Sequence, residues 1–346
     1  MDETLQSLEE PASALDPLKI VTLGGGTGLS TLLRGLRDLS AELERAAGAP
    51  PLDLAAIVTV SDDGGSSGRL RRDFDILAPG DIRNCMVALA EDETLLTKLF
   101  QHRFQTGKGL EGHNFGNLFL AALTEVTGDF HEAIKTSSEV LAIRGRIFPS
   151  TLENVKLEAE LASGRSLLGE TRITGSGGGI RRMRLRPREC RPVPEALQAI
   201  EEADLITLGP GSLYTSVIPN LLVTDVAETL VRAKGRTVYV SNLMWEPGET
   251  DGYSAADHLR AVYEHTGPGI VDVVVINNET ASPRALERYA KQSAFPVEAD
   301  EDRLRELGVE VVSASLLADG PVVRHETDTL ARLLVREAVA GRRGRG

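Results

Sequence analysis

The chain has 346 residues, 41% hydrophobic and 26% charged, enough to bury a sizeable core as one large α/β domain or two unequal ones. Its net charge of −13 excludes general affinity for nucleic acid or anionic membranes, so an anionic ligand must be held by local cations and backbone dipoles. No apolar run reaches membrane-span length, so no membrane insertion is expected, and Cys85 and Cys190 read as reduced cytoplasmic thiols rather than a disulfide or zinc pair.

Residues 1–17 are acidic and polar, without the basic and apolar regions of a signal peptide, and read as a mobile tail. A strand is expected at 19–23 (KIVTL), followed by Gly24, Gly25, Gly26, Thr27 and Gly28 and by a helix opening near Leu29. Glycines let the backbone turn through positive φ and approach a ligand closely, and a helix start directs free N–H groups at it. The run fits neither standard phosphate loop. The dinucleotide pattern G-x-G-x-x-G would need Gly at Leu23 or Leu29, and the P-loop Lys is absent. A phosphorylated ligand or nucleotide is indicated; the plain alternative is a tight turn packing a helix onto a sheet.

Further strands are expected at 54–60, 204–208, 236–241, 271–276 and 309–314, mostly continuous apolar runs of the kind that parallel strands covered on both faces require. Helical patterns separate them, which predicts a Rossmann-like, doubly wound, mostly parallel α/β sheet. The stretch at about 81–202 breaks the rhythm. Its first half reads as helices and its second as short strands and hairpins, with SGGGIRR at 176–182 as a hairpin turn. The expected organisation is one domain over 18–340, with its core in 18–80 and 203–340, an insertion at about 81–202 and a second tail at 341–346.

In such a sheet, ligands bind beyond the carboxyl ends of the strands. The loops there are rich in Gly, Ser, Thr, Asn and Asp: GGGTG, SDDGGSSGRLRRDFD at 61–75, GPGSLYTS at 209–216, SNLMWEPGETDGYS at 241–254 and NNETASPR at 277–284. Asp62 and Asp63 suit ribose hydroxyls or a hydrated Mg²⁺, and equally a capped turn. Arg69, Arg71 and Arg72 offer phosphate donors or a solvated charge cluster. Gly209, Gly211 and Ser212 read as a second anion-binding turn, or Ser212 as a helix N-cap. His113 reads as structural, whereas Asn114 and Asn117 suit sugar hydroxyls or a helix cap. Neither Ser-His-Asp, H-E-x-x-H nor C-x-x-C is present in recognisable form, so a binding crevice is plainer than a catalytic set.

The segments LGGGTGLSTLLRGL, IVTVSDDGGSSGRLR, APGDIRNC, GHNFGNL, ITLGPGSLYTSVIPNLL and ETDGYSAADHL occur in that order. Over about residues 18–335 the chain resembles the gluconeogenesis factors, the YvcK branch of the CofD-like family. The resemblance implies a Rossmann-like cytoplasmic protein that binds UDP-N-acetylglucosamine and acts on cell shape and envelope metabolism during gluconeogenic growth. It also implies ligand contact by Gly25, Gly26, Thr27, Gly28, Gly211 and Ser212, and by Tyr289 and Arg324 from late segments. Read alone, Tyr289 is a helix-face aromatic and Arg324 a surface cation. Asp62, Asn117 and Gly209 complete the expected site. The related transferase branch moves a phospholactyl group onto a deazaflavin with a divalent metal, for which Asp62 and Asp63 are the candidates here and Mg²⁺ the candidate cofactor. The surroundings of those carboxylates depart from that branch, which weighs against transfer. Three readings therefore stand: a nucleotide-sugar sensor read by an unidentified protein partner, a metal-dependent transferase, and, from fold analogy alone, an NAD-linked oxidoreductase. A homo-oligomer is left open.

Overall fold

The computed structural model describes residues 16–47, 52–91, 95–320 and 322–343. Seven strands form one sheet in the order β10-β9-β8-β7-β1-β2-β3. They are β1 (Leu18–Gly24), β2 (Leu52–Val58), β3 (Arg146–Pro149), β7 (Leu205–Leu208), β8 (Arg236–Val240), β9 (Val273–Asn277) and β10 (Glu310–Ala314). All neighbours are parallel. The chain builds outward from β1 to β3, then returns to the other side of β1 with β7. Strand order therefore reverses between β1 and β7, which pair with Leu23 opposite Leu208. That reversal opens a crevice beyond the carboxyl ends of these two strands.

The continuous apolar runs explain the parallel sheet. Ile20, Val21 and Leu23 of β1 are buried, as are Val273, Val274, Val275 and Ile276 of β9. The Gly26–Ala47 helix lays Leu29, Leu32, Leu33, Leu36, Leu39 and Leu43 into the core, one apolar stripe at helical spacing. Each such burial contributes about 1.5–3 kcal/mol against the ordering entropy. The Thr327–Arg343 helix packs on it so closely that a Cβ at Gly35 would lie 2.6 Å from the Thr327 carbonyl oxygen.

Five expectations need correction. The first helix opens at Gly26, inside the glycine run, rather than near Leu29. Strand β3, in the 81–202 stretch, was not legible: it is a four-residue edge strand, RIFP, too short to show a period. Glu170–Thr174, within the half read as short strands and hairpins, is helical. The run SGGG at 176–179 is no hairpin turn, because the small antiparallel sheet has the order β5-β4-β6 (β4 Lys156–Leu161, β5 Ser166–Leu168, β6 Ile180–Arg186); those glycines belong to the crossing from one edge to the other. The C-terminal helix continues through Arg343, where a tail was expected, and Arg342 donates to the carbonyls of Asp16 (2.7 Å) and Pro17 (2.8 Å). Of the tails expected at 1–17 and 341–346, residues 1–15 and 344–346 lie outside the described residues.

Truncating the stripe tests its share of the stability. Leu36→Ala should lower the unfolding free energy by about 2–5 kcal/mol, read as a lower denaturant midpoint with unchanged slope.

Candidate functional site

The loops after β1 and β7 meet at the switch point. A Cβ on Gly28 would fall 2.4 Å from the Pro210 carbonyl oxygen, so only glycine lets the first turn of the helix lie against the second loop. Asn220, fully buried, ties the two together: its amide donates to the Gly24 carbonyl (3.0 Å) and the Ser216 carbonyl (2.7 Å). Thr59 N–H also donates to the Gly24 carbonyl (3.0 Å). The β1 terminus is thereby fixed from both sides. At Gly26 the backbone has φ +65, and nothing presses on the position a Cβ would take; conformation, not crowding, requires glycine there. Gly25 is held from behind, where a Cβ would lie 2.7 Å from both Asp81 Oδ2 and Thr59 Cγ2.

These loops form one side of a cavity of about 420 Å³. Gly25, Gly26, Thr27 and Gly28 line it from the first loop, and Gly211, Ser212 and Ser216 from the second. The segment after β8 supplies Asn242 to Glu246 as a further wall. Tyr289 and the stretch Val322 to His325 also line it. Tyr289 and Arg324, 35 positions apart, are brought to one wall by a bond from the Val323 N–H to the Tyr289 hydroxyl (3.2 Å). The guanidinium of Arg288 lies 5.4 Å from the Tyr289 ring centre.

Eight of the residues expected to contact ligand thus share one cavity: Gly25, Gly26, Thr27, Gly28, Gly211, Ser212, Tyr289 and Arg324. Asp62, Asn117 and Gly209 are not part of its lining. Gly209 (φ +80) shapes the second turn and bonds the Leu23 carbonyl through its N–H (2.9 Å). Asn117 accepts from Arg83 Nε (3.3 Å), while Asn114 caps the Phe115–Thr127 helix. Ser212 holds the N-cap position of the helical turn Leu213–Val217 without a side-chain capping bond, its hydroxyl donating instead to Glu246 Oε1 (2.6 Å). Arg71 is a buried clamp on the Ser61, Asp62 and Val155 carbonyls, and Arg69 donates to the Glu111 carbonyl, so neither points a free fork at phosphate. Asn242, Glu246 and His325 went unselected from the sequence. The loop of the first two stood out only by composition, and nothing in VVRHE marks His325.

A family model described as 2-phospho-L-lactate transferase CofD matches residues 20–317. The chain belongs to the CofD family. It is 46% identical over 318 residues to the gluconeogenesis factor of Bacillus subtilis, covering 92% of this chain and 97% of that protein. The gluconeogenesis factor of Halalkalibacterium halodurans is also 46% identical, over 317 residues, 91% of this chain and 95% of that protein. A solved structure of a UPF0052-family protein from Bacillus halodurans matches with a TM-score of 0.87 at 45% identity, covering 93% of this chain and 100% of that one. Among the described residues, no helix is long and apolar enough to cross a membrane.

Behind the glycine loop this CofD-family chain gathers acids. Burial pushes the Asp81 carboxyl up to about 6, partly offset by the bond it accepts from the Gly26 N–H at the helix start. Burial, with Asp62, Asp81, Asp63 and Glu249 as like-charged neighbours, pushes Glu170 up to about 9. Asp62 and Asp63 each have one carboxylate oxygen engaged by the protein. Asp63 Oδ1 takes the Thr171 N–H (2.9 Å) and hydroxyl (2.7 Å), whereas Asp62 Oδ1 takes the Gly64 N–H (2.8 Å). Among the described residues, no group of three or more His, Cys, Asp or Glu side chains is arranged to hold a metal ion.

Two outcomes follow from this geometry. Gly28→Ala forces the loops apart and should cost about 1–3 kcal/mol of stability, seen in denaturant melts, together with loss of any ligand-induced rise in melting temperature. Glu249, pushed up to about 8 by burial and then by Glu246, keeps a proton in the folded state that the unfolded chain releases near pH 4.5. Its contribution is therefore present at low pH and lost as pH rises towards 8. Glu249→Gln should stabilise the protein relative to wild type at pH 8 more than at pH 5, read by thermal melts at both.

Proposed function

We propose that this chain binds a nucleotide sugar, UDP-N-acetylglucosamine, in the cavity at the β1/β7 switch point. It acts as a cytoplasmic regulatory protein whose loaded state is read by a partner and bears on cell shape and envelope metabolism during gluconeogenic growth. The observation that carries this reading is the convergence of two glycine turns, each leading into helical backbone, on one cavity faced by Tyr289 and Arg324. The first-turn N–H groups of Thr27 and Gly28 suit phosphate oxygens, and the helix dipole favours their charge. Arg324 supplies a fork for a second phosphate, and Tyr289 a ring on which a base stacks. Two such walls account for both ends of a nucleoside diphosphate in a protein whose net charge would otherwise repel it.

The transferase reading has one observation in its favour, the Asp81 carboxylate seated on the Gly26 N–H beside the proposed phosphate position, along with the family description. Product from deazaflavin, activated phospholactate and Mg²⁺ would establish it.

Calorimetry tests the binding proposal. UDP-N-acetylglucosamine should give a saturable signal with wild type, and Tyr289→Ala and Arg324→Ala should each weaken it about tenfold or more while the melting curve without ligand stays unchanged. No binding by wild type at millimolar ligand would refute the proposal.

A further inference from the structure

Asn117 suits a ligand by its sequence context, yet it lies outside the cavity lining. Its surroundings are cationic. Arg83, half-buried on the Gly80–Leu89 helix, donates from Nε to Asn117 Oδ1 (3.3 Å). The Arg83 stem lies against the first turn of the Phe115–Thr127 helix, where a Cβ on Gly116 would fall 2.7 Å from its Cγ. An antiparallel bridge from Arg103 to Asn114 brings a second, exposed arginine to the same helix start, and its Nη1 donates to the Gly112 carbonyl (2.7 Å). Residues 95–110 carry Lys98, Arg103 and Lys108 without one acid, in a chain of net charge −13.

By themselves these groups oppose one another. A guanidinium at a helix N-terminus meets the positive end of the dipole. Burial, then the like charge of Arg103, pull the Arg83 side chain down to about 10. Asp81 offsets this only in part, being itself bonded by the Gly26 N–H and Asn84. Among the described residues no carboxylate pairs with Arg83, and its Nη atoms have no acceptor. Asn117, 2% exposed, spends its oxygen on Arg83, which leaves Nδ2 a donor without an acceptor. These donors keep contact with solvent, unlike sealed atoms such as His258 Nε2.

We propose that Arg83, Arg103 and Asn117 form a second anion site, outside the nucleotide-sugar cavity, that takes a phosphate monoester. Two guanidiniums match a group of about two negative charges at neutral pH, and the fork of each fits its oxygens. With such a group bound, the helix dipole adds to the attraction. The site stands independently of the nucleotide-sugar reading.

The test uses inorganic phosphate as the probe, in thermal melts compared with sodium chloride of equal ionic strength. Wild type should gain stability saturably with phosphate, and Arg324→Ala, altered in the cavity, should keep that gain. Arg83→Gln and Arg103→Gln should each need about tenfold more phosphate for the same gain. Arg83→Lys, which keeps the charge and loses the fork, should fall between. In chloride, Arg83→Gln should melt no lower than wild type, because it removes an unpaired charge. A lower melt in chloride together with an undiminished phosphate gain would mark a structural arginine and overturn the proposal. So would a gain abolished by Arg324→Ala but kept by the two Gln variants. An equal gain from succinate would overturn the phosphate assignment in favour of carboxylates.

Discussion

The site depends on a backbone-to-backbone contact, the first turn of the Gly26–Ala47 helix pressed against the loop at Pro210. Strand order reverses between β1 and β7, so their outgoing loops diverge to opposite sides of the sheet and leave a gap unless something closes its floor. Gly28 closes it by lacking a Cβ, and Asn220 pins the gap from below with both of its amide hydrogens. A buried amide that satisfies two carbonyls on different loops is costly to lose, because each would be left unpaired. Much of what lines the cavity is hung on this junction.

Electrostatics then divide the crevice. The proposed anion site of this acidic protein would use dipoles where it lacks cations, with the nearest acids shielded. Asp81 lies directly behind the loop, yet burial holds its carboxyl up to about 6 and the Gly26 N–H absorbs part of its charge. Arg71 is consumed in holding the 61–62 backbone to Val155, so the loop after β2 serves as scaffold behind the cavity rather than as its wall.

The segments that repeated a period were legible. Six apolar runs predicted six of the seven strands of the sheet, since a parallel strand buried on both faces must be apolar throughout. The seventh, RIFP, carries too few residues to show any pattern. The two glycine turns could be read because glycine's conformational freedom is written in its identity. Asp62 and Asn117 lie outside the cavity lining, and the sequence could not show it: polar residues at strand ends and helix caps have the same composition whether they serve a ligand or the backbone. Asn114 shows the second use, capping its helix through the Asn117 N–H, and Asp62 closes a turn by accepting the Gly64 N–H.

The sequence by itself determined the sheet, its parallel sense and the two glycine turns, because these follow from local periodicity and from the φ values that a residue type permits. Only the tertiary structure decided which loops share a cavity. Tyr289 and Arg324 meet Gly28 through the crossover path of the chain, and Arg83 and Asn117 come together across 34 positions of sequence. Burial and mutual distance are properties of packing, and packing is set by the whole chain at once rather than by any window of it.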